Sequence, residues 1–125
     1  MSENTFVLKL NENADVIEEL KKFVTEQNIS YGLFVSASGK IKECELISIE
    51  PKCGMAKNLF KGEYEVNAVS GKIEKNKKNE VVIHLRVSIS SNDFSSKAGE
   101  LTKGKSGRIL EIGIRKIELN KIINA

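Results

Sequence analysis

One histidine and one arginine stand two residues apart in a run that alternates from end to end, Glu80-Val81-Val82-Ile83-His84-Leu85-Arg86-Val87-Ser88-Ile89-Ser90. Val81, Ile83, Leu85, Val87 and Ile89 fall on one face of such a strand; Val82, His84, Arg86, Ser88 and Ser90 fall on the other. The first face is a core face. The second carries the only histidine in the chain. Side chains at i and i+2 on one face stand roughly 7 Å apart, so an imidazole and a guanidinium can serve one pocket. The same pattern describes a half-buried strand whose polar side is simply wet, and periodicity alone leaves both readings standing. Nucleophilic catalysis has its ingredients in composition only. Serines surround His84 without a nucleophile elbow, and Cys44 or Cys53 has no motif linking it to the histidine.

A second candidate is Gly99-Glu100-Leu101-Thr102-Lys103-Gly104-Lys105-Ser106, which matches the phosphate-binding loop letter for letter. In that chemistry glycine N–H groups cradle phosphates, Lys105 reaches the terminal phosphates and Ser106 holds magnesium. The context opposes it. Such a loop needs a buried strand before it and a helix after it. Here a polar stretch, Ser90–Ser96, precedes it, and Gly107-Arg108-Ile109-Leu110-Glu111-Ile112 follows and alternates like a strand. The only aspartates, Asp15 and Asp93, do not end an apolar run that could supply a magnesium ligand. Lys97, Lys103, Lys105 and Arg108 also form a basic cluster opposed only by Glu100. Such a cluster can track nucleic-acid phosphates; a solvated basic loop has the same composition. Phe94 is the one aromatic nearby for base stacking.

The elements that must position these groups follow from apolar spacing. Thr5–Leu10 alternates as a strand. Asn13 predicts a helix N-cap, and Val16, Ile17, Leu20, Phe23 and Val24 predict an amphipathic helix over Ala14–Gln27, with Asn28 ending it in a left-handed conformation. Ile29–Ser38 is apolar on both faces and reads as an inner strand; Ile41–Glu50 is a further strand that Pro51 stops. Residues 51–62 read as a loop anchored by Met55, Leu59 and Phe60. Glu63–Glu74 and the His84 strand form a long hairpin about the tip Lys75–Asn79, with a bulge near Ser70-Gly71. Ser91–Gly107 reads mostly as loop. Ile109–Leu119 closes the sheet, its change of parity suggesting a second bulge. The expected architecture is an α+β fold with a mostly antiparallel sheet, in a single domain over residues 1–125.

Composition bounds the function. The 125 residues are 40% hydrophobic and 30% charged, with a formal charge of +3, as in a globular chain with a real core. No stretch approaches a membrane span, and Met1–Thr5 does not begin like a signal peptide. Two cysteines without Cys-x-x-Cys spacing fit a reducing, cytoplasmic setting and leave too few ligands for structural zinc. The mild positive charge permits nucleic-acid binding without demanding it.

In this order and spacing the motifs resemble the PPC domain, conserved in plants and prokaryotes and also described as a predicted DNA-binding domain. Phe6-Val7-Leu8-Lys9-Leu10 with the following helix is similar to the family's opening strand and helix. Gly62-Glu63-Tyr64-Glu65-Val66-Asn67 resembles the plant Gly-Arg-Phe-Glu-Ile-Leu motif, with Glu63 for arginine; Val69-Ser70-Gly71 resembles the end of that strand. Ile83-His84-Leu85-Arg86-Val87-Ser88 resembles the His-x-His strand with Arg86 for the second histidine. Ala98-Gly99-Glu100-Leu101 resembles Gly-Gly-His-Leu with Glu100 for its histidine. The resemblance covers residues 5–119.

The resemblance implies an α+β homotrimer with a regulatory or DNA-associated role and no defined reaction. The alternative is a small-molecule-binding or enzymatic trimer using the pocket at His84, Arg86 and Glu100. The chain carries no minor-groove hook, so DNA contact is expected to be weak and to run through Lys97, Lys103, Lys105 and Arg108. Family members with three histidines at these positions look able to bind a metal. Here only His84 remains, Arg86 offers no acceptor, and the expectation is no metal and no cofactor. In their place an Arg86–Glu100 salt bridge is expected, with His84 a neutral or hydrogen-bonded wall of the pocket.

Overall fold

The helix stripe and the strand alternation both appear in the structure, a computed structural model that describes residues 4–50 and 54–125. Pro51 and Cys53, and the expectations that fall on them, lie outside the described residues. The chain runs β1 (Thr5–Lys9), α1 (Val16–Glu26), β2 (Tyr31–Ser38), β3 (Lys40–Glu50), β4 (Gly54–Lys75), β5 (Val81–Ser90), β6 (Ser96–Ser106), β7 (Glu111–Lys116) and a 3-10 turn at Leu119–Lys121. The strands lie in the order β1-β7-β2-β4-β3-β6-β5, with β4 paired to β5 as well. All these pairings are antiparallel. The fold is a mostly antiparallel sheet with one short helix after the first strand, which is the coarse form of the α+β expectation.

Helix α1 forms where the apolar stripe predicts it, but its cap is displaced. Asp15, not Asn13, caps it: the Asp15 carboxylate accepts the Glu18 N–H at 3.0 Å. Asn13 takes a positive φ of 70° in the preceding turn, and Asn28 ends the helix at φ 52°. Val16, Leu20 and Val24 are fully buried. Phe23 meets Phe6 of β1 edge to face at 5.4 Å, and the helix lies against β5 and β6.

Strand β4 is longer than its sequence suggests. Residues 54–62, expected as loop, are its first half and pair with β3 from Glu50↔Gly54 to Lys40↔Glu65. Met55 and Leu59 are exposed there, so they anchor nothing; Phe60 is half-buried and packs edge to face on Tyr64. From Glu65 onward β4 pairs with β5. The register shift lies between Val66 and Ala68, not at Ser70-Gly71. It leaves Asn67 as the extra residue and keeps both Val66 and Val69 turned inward. Ser96–Ser106, also expected mostly as loop, is β6. In β7 the register is regular against β1, and the parity change at Ile117 is simply the strand ending at Lys116. The bulge on this side is in β2, between Phe34 and Ser36.

The hairpin tip is the predicted one. Asn76 holds it, its side-chain oxygen accepting the N–H groups of Lys78 and Glu80 at 2.9 Å each.

The phosphate-loop letters, Gly99–Ser106, lie wholly within β6, and the two glycines and the serine each have a packing reason. A Cβ on Gly99 would lie 2.8 Å from the Ile47 carbonyl oxygen. A Cβ on Gly104 would crowd Ile41, Cys44 and Leu101. Ser106 is fully buried; its hydroxyl accepts the Ala14 N–H at 3.0 Å and donates to the Asn11 carbonyl. It ties the approach to α1 onto the sheet. Ser106→Ala leaves those backbone groups without a side-chain partner and is expected to cost about 1–3 kcal/mol in urea unfolding. A loss below about 0.5 kcal/mol, the range of an ordinary surface change, would refute that role.

Candidate functional site

The candidate site is built by β5 and its two neighbours. Leu85, Val87 and Ile89 are buried, while His84 and Arg86 stand on the opposite, exposed face, as the alternation demands. Arg86 is paired on both sides, with β4 and with β6, whereas His84 lies just beyond the β6 pairing and is paired with β4. Across β4, Lys72 is the partner of His84 and Ser70 of Arg86. Across β6, Glu100 is the partner of Arg86 and Ala98 of Ser88. Gly71, at φ 117°, makes this approach possible: any Cβ there would collide with the His84 carbonyl oxygen.

Glu100 lies directly across from Arg86, yet its carboxylate binds the diagonal neighbour. His84 Nδ1 is 3.1 Å from Glu100 Oε1. The expected Arg86–Glu100 salt bridge is therefore replaced by a His84–Glu100 pair; of the three expected pocket residues Arg86 lines the cavity at Ala68, Ser88 and Ala98, and His84 and Glu100 stand beside it. Diagonal side chains on neighbouring strands are within reach of long residues. With Nδ1 protonated, the ring donates to the carboxylate and Nε2 faces away from it. Arg86 makes no ion pair among the described residues. Lys72 pairs with Glu74 at 3.6 Å and lies 6.0 Å from the Tyr31 ring centre.

Other candidates are not brought together. Cys44 is buried in the core, and burial pushes its thiol up to about 11, so it stays protonated and unreactive at neutral pH. Asp15 caps the helix. Asp93 is held in the β5–β6 turn by the hydroxyls of Ser91 and Ser95, 2.6 Å each, and these hold its carboxyl well below the usual carboxylate range. No Ser-His-Asp set forms among the described residues. The basic cluster is split: Lys97 begins β6, and Lys105 lies eight residues on, about 26 Å away along a strand, with Lys103 and Arg108 at that far end. Sequence reasoning missed Lys72, Ser70 and Ala68. Counting outward from the hairpin tip would have found them, because Lys75↔Val81 fixes Lys72↔His84 and Ser70↔Arg86.

The model of the Plants and Prokaryotes Conserved (PCC) domain matches residues 1–118, and the chain belongs to that family. A plant- and prokaryote-conserved (PPC) protein from Pyrococcus horikoshii is 20% identical, with a TM-score of 0.81 over 91% of this chain and 78% of that one. A "putative dna binding protein" from Bacteroides thetaiotaomicron is 21% identical, with a TM-score of 0.82 over 95% of this chain and 82% of that one. A "Metal-containing Protein" from Archaeoglobus fulgidus is 18% identical, with a TM-score of 0.79 over 90% of this chain and 78% of that one. At these identities the likeness shows the fold. No curated protein matches.

The residues at the site do not fit a metal ion. Among the described residues no three His, Cys, Asp or Glu side chains converge. His84 and Glu100 offer two donors, Lys72 stands across from the ring, and Arg86 stands across from the carboxylate. Fixed cations there oppose a divalent ion.

Exposed pairs of this kind are worth about 0–1 kcal/mol. A double-mutant cycle on His84→Ala and Glu100→Ala is expected to give a coupling of about 0.2–1 kcal/mol in urea unfolding, and a cycle on Arg86→Ala and Glu100→Ala a smaller one. An Arg86–Glu100 coupling larger than the His84–Glu100 coupling would contradict the observed pairing.

Proposed function

We propose that this member of the family is a homotrimeric module with a regulatory or DNA-associated role, working by assembly and contact with no reaction of its own. The observation that carries the reading is the bare face of the sheet. Helix α1 covers the side on which Leu85, Val87, Ile89 and Leu101 are buried. Among the described residues no α-helix covers the other side. That side presents Val7 and Val35, 55% and 42% exposed, flanking Gly113. An antiparallel surface carrying exposed branched residues around a glycine is suited to close packing on further copies of itself.

The DNA-associated part rests on relatives of the same fold that carry that description, together with the formal charge of +3. The basic side chains of β6 are divided between its two ends, so they can follow a phosphate backbone but do not assemble a base-reading group. Contact of this kind positions a protein without reading sequence.

Sedimentation equilibrium at micromolar concentration is expected to return a trimer; monomer alone would overturn the assembly reading. Any retention on duplex DNA is expected to be sequence-independent and to fall steeply with salt, each neutralised phosphate adding about 0.9 to the slope of log K against log salt. Selective binding that survives high salt would contradict the proposed mode.

A further inference from the structure

Beside the His84–Glu100 pair, the outer face carries a trough made by the strand register. Ala68 of β4, Ser88 of β5 and Ala98 of β6 lie side by side in one row. Ser70, Arg86 and Glu100 form the next row. Three short side chains abreast leave an open cavity of about 200 Å³, floored in part by Gly99 and walled by Arg86. The polar groups on it lack protein partners. Among the described residues Arg86 makes no ion pair, and neither it nor the hydroxyls of Ser70 and Ser88 makes a side-chain hydrogen bond. The carboxylate across the strand from Arg86 is that of Glu100, and its Oε1 is engaged by His84.

We propose that this trough is a binding site for a small oxyanion, a carboxylate or a phosphate group, held by the Arg86 guanidinium and the hydroxyls of Ser70 and Ser88. A guanidinium presents a planar fork of donors that matches two oxygens of such a group, and hydroxyls complete the shell. Size limits the ligand: drug-sized molecules occupy roughly 300–1,000 Å³, so the trough takes a compact anion or the anionic end of a longer molecule. The His84–Glu100 pair acts as a positioning element, because it withdraws the competing carboxylate from the guanidinium. The site goes beyond the assembly role proposed above and does not depend on it.

Inorganic phosphate and acetate, titrated separately into the full chain in phosphate-free buffer, test this by amide and guanidinium NMR. At least one anion is expected to give saturable shifts at Arg86 and Ser88, and the stronger of the two names the group recognised. Arg86→Gln is expected to weaken that binding about tenfold or more, the worth of a hydrogen bond to a charged group. Ala98→Leu, which fills the trough and changes no charge, is expected to weaken it too, with the dispersion of the remaining amide spectrum reporting that the fold is kept. Shifts with neither anion, or undiminished binding in Arg86→Gln, would overturn the proposal. Saturable shifts at Lys97, Lys105 or Arg108 instead of Arg86 would overturn it as well. Sedimentation of the same samples reports the assembly separately.

Discussion

Strand β4 must satisfy hydrogen-bonding partners along both edges, and the rest of the structure depends on that requirement. A buried backbone N–H or C=O without a partner is costly, and β4 runs for 22 residues. Its first half pairs with β3 and its second with β5, while Lys72–Glu74 also pair with β2. Strand β6 then pairs with both β5 and β3. The strands β3, β4, β5 and β6 thus close a circuit of hydrogen-bonded neighbours. Within such a circuit register cannot slip in one pair without slipping in the others. Bulges absorb the mismatches. Glu43 sits at the β3 bulge with φ 50°, and its carboxylate accepts the Gly62 N–H at 3.0 Å. Asn67 on β4 and Val35 on β2 do the same at their shifts, keeping Val66 and Val69, and Phe34 and Ala37, against the core.

That circuit decides what the polar face can do. Glu100 has two candidate partners, Arg86 directly across and His84 on the diagonal, and it binds His84. The energy at stake is small, since both are exposed. The consequence for chemistry is larger. A guanidinium with no carboxylate of its own, next to a row of alanine and serine, is a different surface from a closed salt bridge.

The phosphate-loop letters show how little a local motif means without its flanking elements. A cradle of N–H groups requires the chain to turn around a phosphate at the start of a helix. In β6 the same eight residues are extended, and their N–H and C=O groups are engaged across the sheet. The glycines are there because β3 comes too close for a side chain, and the serine is there to hold the turn before α1.

Much of this was legible in the residues. The alternation of Val81–Ser90, the stripe of Val16, Leu20 and Val24, the tip at Asn76 and the family likeness all belong to short-range pattern, where burial of one face imposes a period on neighbouring residues. The first half of β4 and the whole of β6 were not legible. Their outward residues mix lysine, asparagine, serine and threonine with the exposed Met55, Leu59 and Ala98, so no clean alternation marks them, and their strand character comes from partners far along the chain rather than from local preference. Nor could the sequence say which partner Glu100 would choose. Spacing along β5 places His84 and Arg86 on one face, but the partner of a side chain on β6 depends on register across strands and on side-chain direction. Those are set only when the circuit of strands closes, because hydrogen bonding between strands is a long-range constraint that no local run of residues contains.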